Sequence, residues 1–113
     1  MSAITELATR LGKAIAESPQ ALTLRAAREE MKKDAAATQL LKDYRQQADR
    51  VATAEAENKP VEVNDKHKLR EIQQKLAASD AFKKLTAAQV EYIDLMRKVN
   101  AALEQELSAT EGE

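Results

Sequence analysis

The sequence predicts an all-α fold: two short N-terminal helices followed by a long antiparallel helical hairpin, with assembly into oligomers expected. Charged residues make up 33% of the chain, aromatic residues 3%, and glycine and proline number two each. This composition is typical of helix-rich proteins, because β folds use more aromatic and turn residues. The second observation is the run from Ser79 to Leu107, whose apolar residues keep a spacing of three and four. Such spacing places one stripe of a helix against a partner helix.

Length and apolar content predict one domain, 1–113, with a lean core. A chain of 113 residues is within the usual size of a single domain. Hydrophobic residues reach 43%, but 22 of them are alanine, which buries little area. Ordering the backbone costs about 1–2 kcal/mol per residue, so a monomer would be marginal. The lean core therefore favours self-association into a dimer or higher oligomer.

The chain lacks cysteine and long apolar runs, and its charges are balanced, and these features disfavour several classes of protein. It has no cysteine, which excludes disulfides, thiol catalysis and cysteine-ligated metal sites. No apolar run approaches the ~20 residues of a membrane span, and no signal peptide opens the sequence, so a cytoplasmic location without membrane attachment is expected. The net charge is −1 and the charges are interspersed, which makes a nucleic-acid partner an unfavourable reading.

The first two helices are predicted at about 3–17 and 19–33. Gly12 lies inside the first helix, either as a tolerated surface residue or where a neighbouring helix approaches closely. Ser18-Pro19 separates the helices, because serine caps a helix and proline suits its first position. The second helix carries little apolar surface. We interpret its basic face as a solvated surface, with binding of an acidic partner or RNA as the alternative. This face consists of Arg25, Arg28, Lys32 and Lys33.

The third helix, about 35–57, begins after a cap at Asp34, and beyond Val51 its apolar stripe is mostly alanine. The loop 58–64 follows, since Asn58 can adopt the left-handed conformation that closes a helix and Pro60 prevents continuation. The fourth helix, about 65–78, is capped by Asn64 or Asp65.

The last helix is predicted at about 80–107, with a small, acidic and frayed tail at 108–113. Ser79-Asp80 marks either a true boundary before it or a slight kink in one continuous helix. This last helix is expected to pack on the third helix. Part of its apolar stripe is expected to stay uncovered, because the alanine-rich end of the third helix offers too little apolar surface to cover it.

The candidate functional site is a protein–protein interface centred on the last helix. Two polar residues, Gln89 and Asn100, interrupt the apolar stripe of that helix. In a buried seam such residues fix register or oligomeric state, and at the edge of a stripe they simply stay hydrated. The two tyrosines suit either a core boundary or an interface. The interface candidates are Tyr44, Phe82, Gln89, Tyr92, Met96, Asn100 and Leu103.

No residue pattern indicates catalysis, a cofactor or a metal. His67 is the one histidine, stands between two lysines, and reads as a solvated surface residue. The Glu-x-x-His pattern of di-iron bundles and a glycine-rich phosphate loop are both absent from the sequence. The chain is therefore predicted not to be an enzyme and to need no cofactor.

The chain resembles the YlbF/YmcA family of small helical bacterial proteins, found in regulators of competence, sporulation and biofilm formation. The resemblance covers about Leu7 to Leu107 as an ordered set of segments with preserved spacings. These segments are LATRLGKAIAES, RAAREEMKKDAAATQLLKDYRQQ, the ENKPV loop, LREIQQKLAASDAF and AQVEYIDLMRKVNAALEQEL.

The chain departs from the family pattern at three places and in its cysteines. Asn58-Lys59 stands where the family commonly has Gly-Lys. In the same way, Asp34-Ala35 replaces the Asp-Pro of the family, and Ser79-Asp80 replaces its Asn-Pro. Some members carry cysteines linked to an iron–sulfur cluster, which this cysteine-free chain does not share. The resemblance implies a complex that works with ribonuclease Y in mRNA processing.

The leading hypothesis is thus a non-catalytic helical adaptor of the YlbF/YmcA type that self-associates and binds a protein partner. One alternative is an RNA-associated protein that uses the basic face of the second helix together with Lys66, Lys68 and Arg70. The other alternative is a purely structural helical bundle or coiled-coil spacer.

Overall fold

The computed structural model describes residues 2–111, which form helices and short connections with no strand in that range. The helices are α1 (Ala3–Ala16), α2 (Pro19–Lys33), α3 (Ala35–Ala56), α4 (Val63–Ala77) and α5 (Asp80–Glu111). The all-α prediction is therefore confirmed. Contacts group the chain into two compact units, unit 1 comprising 1–27 and 86–113 and unit 2 comprising 28–85. The single-domain prediction stays a prediction, and the two units are described separately.

Unit 2 is built on the predicted hairpin, in which α3 packs along α4. Near the tip of the hairpin, the Gln47 amide Nε2 donates to the backbone carbonyl of Asp65 at 2.9 Å. Farther from the tip, Leu41 of α3 and Leu76 of α4 line one groove. The two helices therefore run antiparallel, as the sequence predicts.

Local capping chemistry fixes the helix starts. The Ser18 hydroxyl accepts from the Ala21 N–H at 3.2 Å, and Pro19 takes the first position of α2. The Asp34 carboxylate accepts from the Ala37 N–H at 3.0 Å and caps α3. Both caps lie where the sequence places them.

The hairpin tip closes α3 through a left-handed residue. Asn58 has φ of 56°, and the next N–H, of Lys59, donates to the Ala54 carbonyl at 2.8 Å. This is the Schellman arrangement, which satisfies carbonyls at the end of a helix. The helix after the tip begins at Val63, with Glu62 at the cap position. The prediction of a loop to 64 with an Asn64 or Asp65 cap was wrong, because extended backbone at Glu62 lets the helix begin earlier.

Helices α4 and α5 are separate, which settles the alternatives left open at Ser79-Asp80. Helix α4 ends at Ala77, and the Ser79 hydroxyl accepts from the Phe82 N–H at 3.3 Å at the start of α5. The predicted frayed tail was wrong over 108–111, which continue α5. The rest of that prediction lies outside the described residues.

The buried apolar residues are few, and alanine is the commonest of them. In unit 1 they are Ala21, Leu24, Ala27 and Ala88, and in unit 2 they are Met31, Ala37, Leu76, Ala81 and Leu85. Unit 2 also holds an ion pair between Lys84 and Glu30, at 3.1 Å, which joins the end of α2 to the start of α5. The lean core expected from composition is what the structure shows.

Candidate interaction surfaces

Two of the predicted interface residues, Tyr44 and Phe82, come together in unit 2. They line an apolar groove of about 250 Å³, whose other lining residues are Leu41, Gln73, Leu76 and Ala77. Tyr44 lies one turn beyond Leu41 on α3, and Phe82 lies in the first turn of α5. Both aromatic side chains are half-buried, so each contributes to the core and to the surface.

Three other predicted residues, Tyr92, Met96 and Asn100, lie together in unit 1. With Ile93 and Arg97 they line an open depression of about 230 Å³ on α5. Tyr92 and Met96 are half-buried, whereas Asn100 is exposed. The spacing of three and four that predicted this grouping is thus realised on one face of a continuous helix.

The last turns of α5 are more exposed than its first turns. Leu85 is 8% exposed, whereas Leu103 is 51% and Leu107 is 60% exposed. Gln89 is also exposed, although it follows the same stripe. The polar positions in the stripe are therefore hydrated in the single chain. Gln89 and Leu103 line neither the apolar groove of unit 2 nor the depression of unit 1.

Most of the exposed large apolar side chains lie in unit 1, and the sequence analysis did not propose those of α1 as interface residues. Of the nine large apolar side chains that are exposed among the described residues, eight belong to unit 1. Helix α1 buries none of its residues: Ile4 is 78%, Leu7 61% and Leu11 38% exposed. These three residues form what we call the α1 face.

A second apolar face, exposed except at the half-buried Met96, runs along α5. Its members are spaced by three and four residues and therefore share one side of the helix. We call this the α5 face, and it consists of Ile93, Met96, Asn100, Leu103 and Leu107. Gly12 of α1 agrees with an open surface, because a Cβ built there would meet no atom within 4 Å. The interpretation of Gly12 as a surface residue is confirmed, because no helix among the described residues comes into contact with that position.

The basic face of α2 is partly engaged within the chain. The Arg25 guanidinium donates to the Ala16 carbonyl, and Lys32 pairs with Glu29 at 3.2 Å. Two of the four cations on that face therefore have local partners. Histidine His67 is exposed on α4 and belongs to neither of the apolar surfaces.

The described residues include no group of three His, Asp or Glu side chains arranged to hold a metal ion. Within the range that the structure covers, no helix is both long and apolar enough to cross a membrane.

Fold and surfaces together define a class: a small all-α protein whose prominent features are exposed apolar helix faces. Residues 4–108 match the family model described as "Control of competence regulator ComK, YlbF/YmcA". The chain belongs to this family, which confirms the resemblance seen in the sequence.

A solved structure has the same fold. The chain is similar to RicA in the crystal structure of Bacillus subtilis RicA in complex with RicF, with a TM-score of 0.81 and 18% identity over 93% of each chain. No curated protein matches the chain. The family is a regulatory one, and the RicA structure shows that a protein of this fold binds another protein.

Proposed function

We propose that this protein is a non-catalytic helical adaptor that self-associates and binds a protein partner. The observation that carries the proposal is the exposed apolar side chains of the α1 face and of the α5 face, both in unit 1. Exposed apolar patches on a protein surface are characteristic of interaction sites. RicA, which has the same fold, was crystallised with RicF, and this supports a protein partner for the present chain as well.

Self-association is tested by size-exclusion chromatography with light scattering at micromolar concentration. We expect a mass of at least twice the 12.5 kDa of one chain. A mass of one chain throughout the micromolar range would contradict the self-association half of the proposal.

The family resemblance extends the proposal to mRNA processing with ribonuclease Y. Affinity purification of the tagged protein from its own cells tests this extension, and ribonuclease Y is expected among the recovered proteins. A Leu41→Asp variant, which places a charge in the apolar groove of unit 2, serves as a comparison. Recovery of neither ribonuclease Y nor a second family protein would contradict the adaptor half of the proposal.

A further inference from the structure

The apolar groove of unit 2 has the composition of a surface that receives a side chain from another protein. The chain has two tyrosines, one phenylalanine and no tryptophan, and two of these three aromatic residues, Tyr44 and Phe82, line the groove while only half-buried. Aromatic residues are enriched at protein interfaces, because each offers a large apolar area with few rotatable bonds. The Tyr44 hydroxyl and the Gln73 amide make no hydrogen bond among the described residues, so both are available to a bound chain.

The size of the groove suits one large side chain better than a separate small molecule. Its volume is about 250 Å³, whereas sites for drug-sized ligands and cofactors have about 300–1,000 Å³ and enclose most of the ligand. Gln73 and Ala77 at its edge are exposed, so the groove opens to solvent. At many protein interfaces a single apolar side chain that enters such a groove supplies much of the binding energy.

Two arginines lie on the side of the hairpin where the groove opens. Arg45 is four residues after Leu41 on α3, and Arg70 is seven residues before Ala77 on α4. Both spacings keep residues on one face of a helix. Because the helices are antiparallel, both arginines lie at the end of the groove nearer the hairpin tip, one on each helix. Both are exposed, and neither joins an ion pair among the described residues.

The other charges around the groove offset one another. Asp49 of α3 lies one turn beyond the first arginine, and Lys66 of α4 lies one turn before the second. At the start of α5, Asp80 and Lys83 also have opposite charges. The two positive charges of the arginines therefore remain as an excess. They favour carboxylates, because a guanidinium group binds a carboxylate through two parallel hydrogen bonds.

We infer that the apolar groove of unit 2 binds a segment of a partner protein that carries one large apolar side chain next to acidic residues. The apolar side chain enters the groove and packs against the two aromatic residues, and the carboxylates bind the guanidinium groups of Arg45 and Arg70. This inference rests on the proposed adaptor function and specifies the chemistry of the partner. Burial of the apolar side chain supplies affinity, and the charges select and orient the segment.

Selection from a phage library of random peptides, on the purified full chain, tests the predicted chemistry. We expect the enriched peptides to share a Leu, Phe or Trp with Asp or Glu within about four residues of it. Enriched peptides without an acidic bias would overturn the inference, and so would a failure to enrich any peptide.

Ala77→Phe tests the groove itself, because it fills the space without adding a charge. Ala77 is exposed, so the fold loses no buried contact there. We expect the most enriched peptide to bind at least about tenfold more weakly, as measured by fluorescence anisotropy. Ala78→Phe makes the same change at the next position, which is exposed and does not line the groove, and should bind like wild type. Equal binding by the two variants would overturn the inference.

Arg45→Glu and Arg70→Glu test the charged part of the contact at exposed positions. Each is expected to weaken peptide binding about tenfold at low salt, and less at high salt, since exposed charges are screened. Lys68→Glu makes the same change in charge on the opposite side of the hairpin, where it lines another cleft, and should bind within about twofold of wild type. An equal loss in all three variants would show an effect of net charge alone and would overturn the inference.

A second copy of this chain is the other occupant to test. Loss of self-association in Ala77→Phe but not in Ala78→Phe, measured by analytical ultracentrifugation, would assign the groove to a second copy and overturn the inference. Recovery of the same partner, in equal amounts, by tagged wild type and tagged Ala77→Phe would also overturn it but leave the adaptor function standing. A wild type that enriches no peptide and recovers no partner would contradict both.

Discussion

Gln47 is the buried polar side chain of the described structure, with 7% of its surface exposed. Its amide Nε2 donates to the backbone carbonyl of Asp65 at 2.9 Å and contacts the Asp65 carboxylate at 3.3 Å. Arg50 approaches the other carboxylate oxygen of Asp65 at 3.6 Å. One amide thus holds the start of α4 against α3 close to the hairpin tip.

Replacing Gln47 with leucine is expected to lower the free energy of unfolding by about 1–2 kcal/mol, because the backbone carbonyl and the carboxylate of Asp65 both lose the amide as a hydrogen-bond donor. Urea unfolding followed by circular dichroism measures the change. Gln46→Leu, at the exposed neighbouring position, is the control and should stay within about 0.5 kcal/mol of wild type. Equal stability of the two variants would show that the Gln47 contact does not hold the hairpin.

At the scale of the helix, α5 changes its role along its length. Its first turns contribute Ala81, Leu85 and Ala88 to the buried set, whereas its last turns expose Leu103 and Leu107. Because packing along one face supplies most of the stability of a helix, we expect a contact outside the single chain to cover the exposed half. Asn100, in the middle of the α5 face, is expected to weaken such a contact and to restrict its register.

Asn100→Leu is expected to tighten self-association about tenfold, since it replaces a polar group that loses water in the contact. Sedimentation equilibrium measures the dissociation constant. Gln105→Leu adds a similar apolar side chain on the opposite side of α5 and should leave the constant unchanged. An Asn100→Leu variant that associates no more tightly than Gln105→Leu would place the interface elsewhere.

At the scale of the whole molecule, stability and assembly are expected to be linked. A partner that binds only the folded chain raises the melting temperature in proportion to the logarithm of its concentration. We therefore expect the melting temperature to rise by several degrees between about 1 and 100 μM. Leu7→Asp, which places a charge on the α1 face, is the control, because its melting temperature should not depend on concentration. A constant melting temperature for wild type would mean that the single chain is stable by itself.

The sequence predicted the features that depend on local chemistry. Asp34, Ser18 and Asn58 take the cap positions expected of them, because the preferences of these residues act within one turn. Gln47 was not predicted, since nothing distinguishes it from Gln46 until α4 lies alongside. The grouping of Tyr44 with Phe82 was not predicted for the same reason: it depends on how α3 and α4 pack.

The exposure of α1 was also beyond prediction. An apolar stripe such as Ile4, Leu7 and Leu11 has the same pattern whether its partner is another helix of the chain or another molecule. The family and the helical class, in contrast, follow from many spacings at once and are insensitive to any one contact.

Alanine lines much of the interior. Five of the nine buried apolar residues among those described are alanine, at positions 21, 27, 37, 81 and 88. Truncating side chains one at a time, as an alanine scan does, leaves these positions unchanged and reports nothing about them. An alanine side chain leaves only one methyl group to remove, so we expect enlargement rather than truncation to be the harmful change at these positions. The positions that most restrict sequence drift in this protein are therefore those with the smallest side chains.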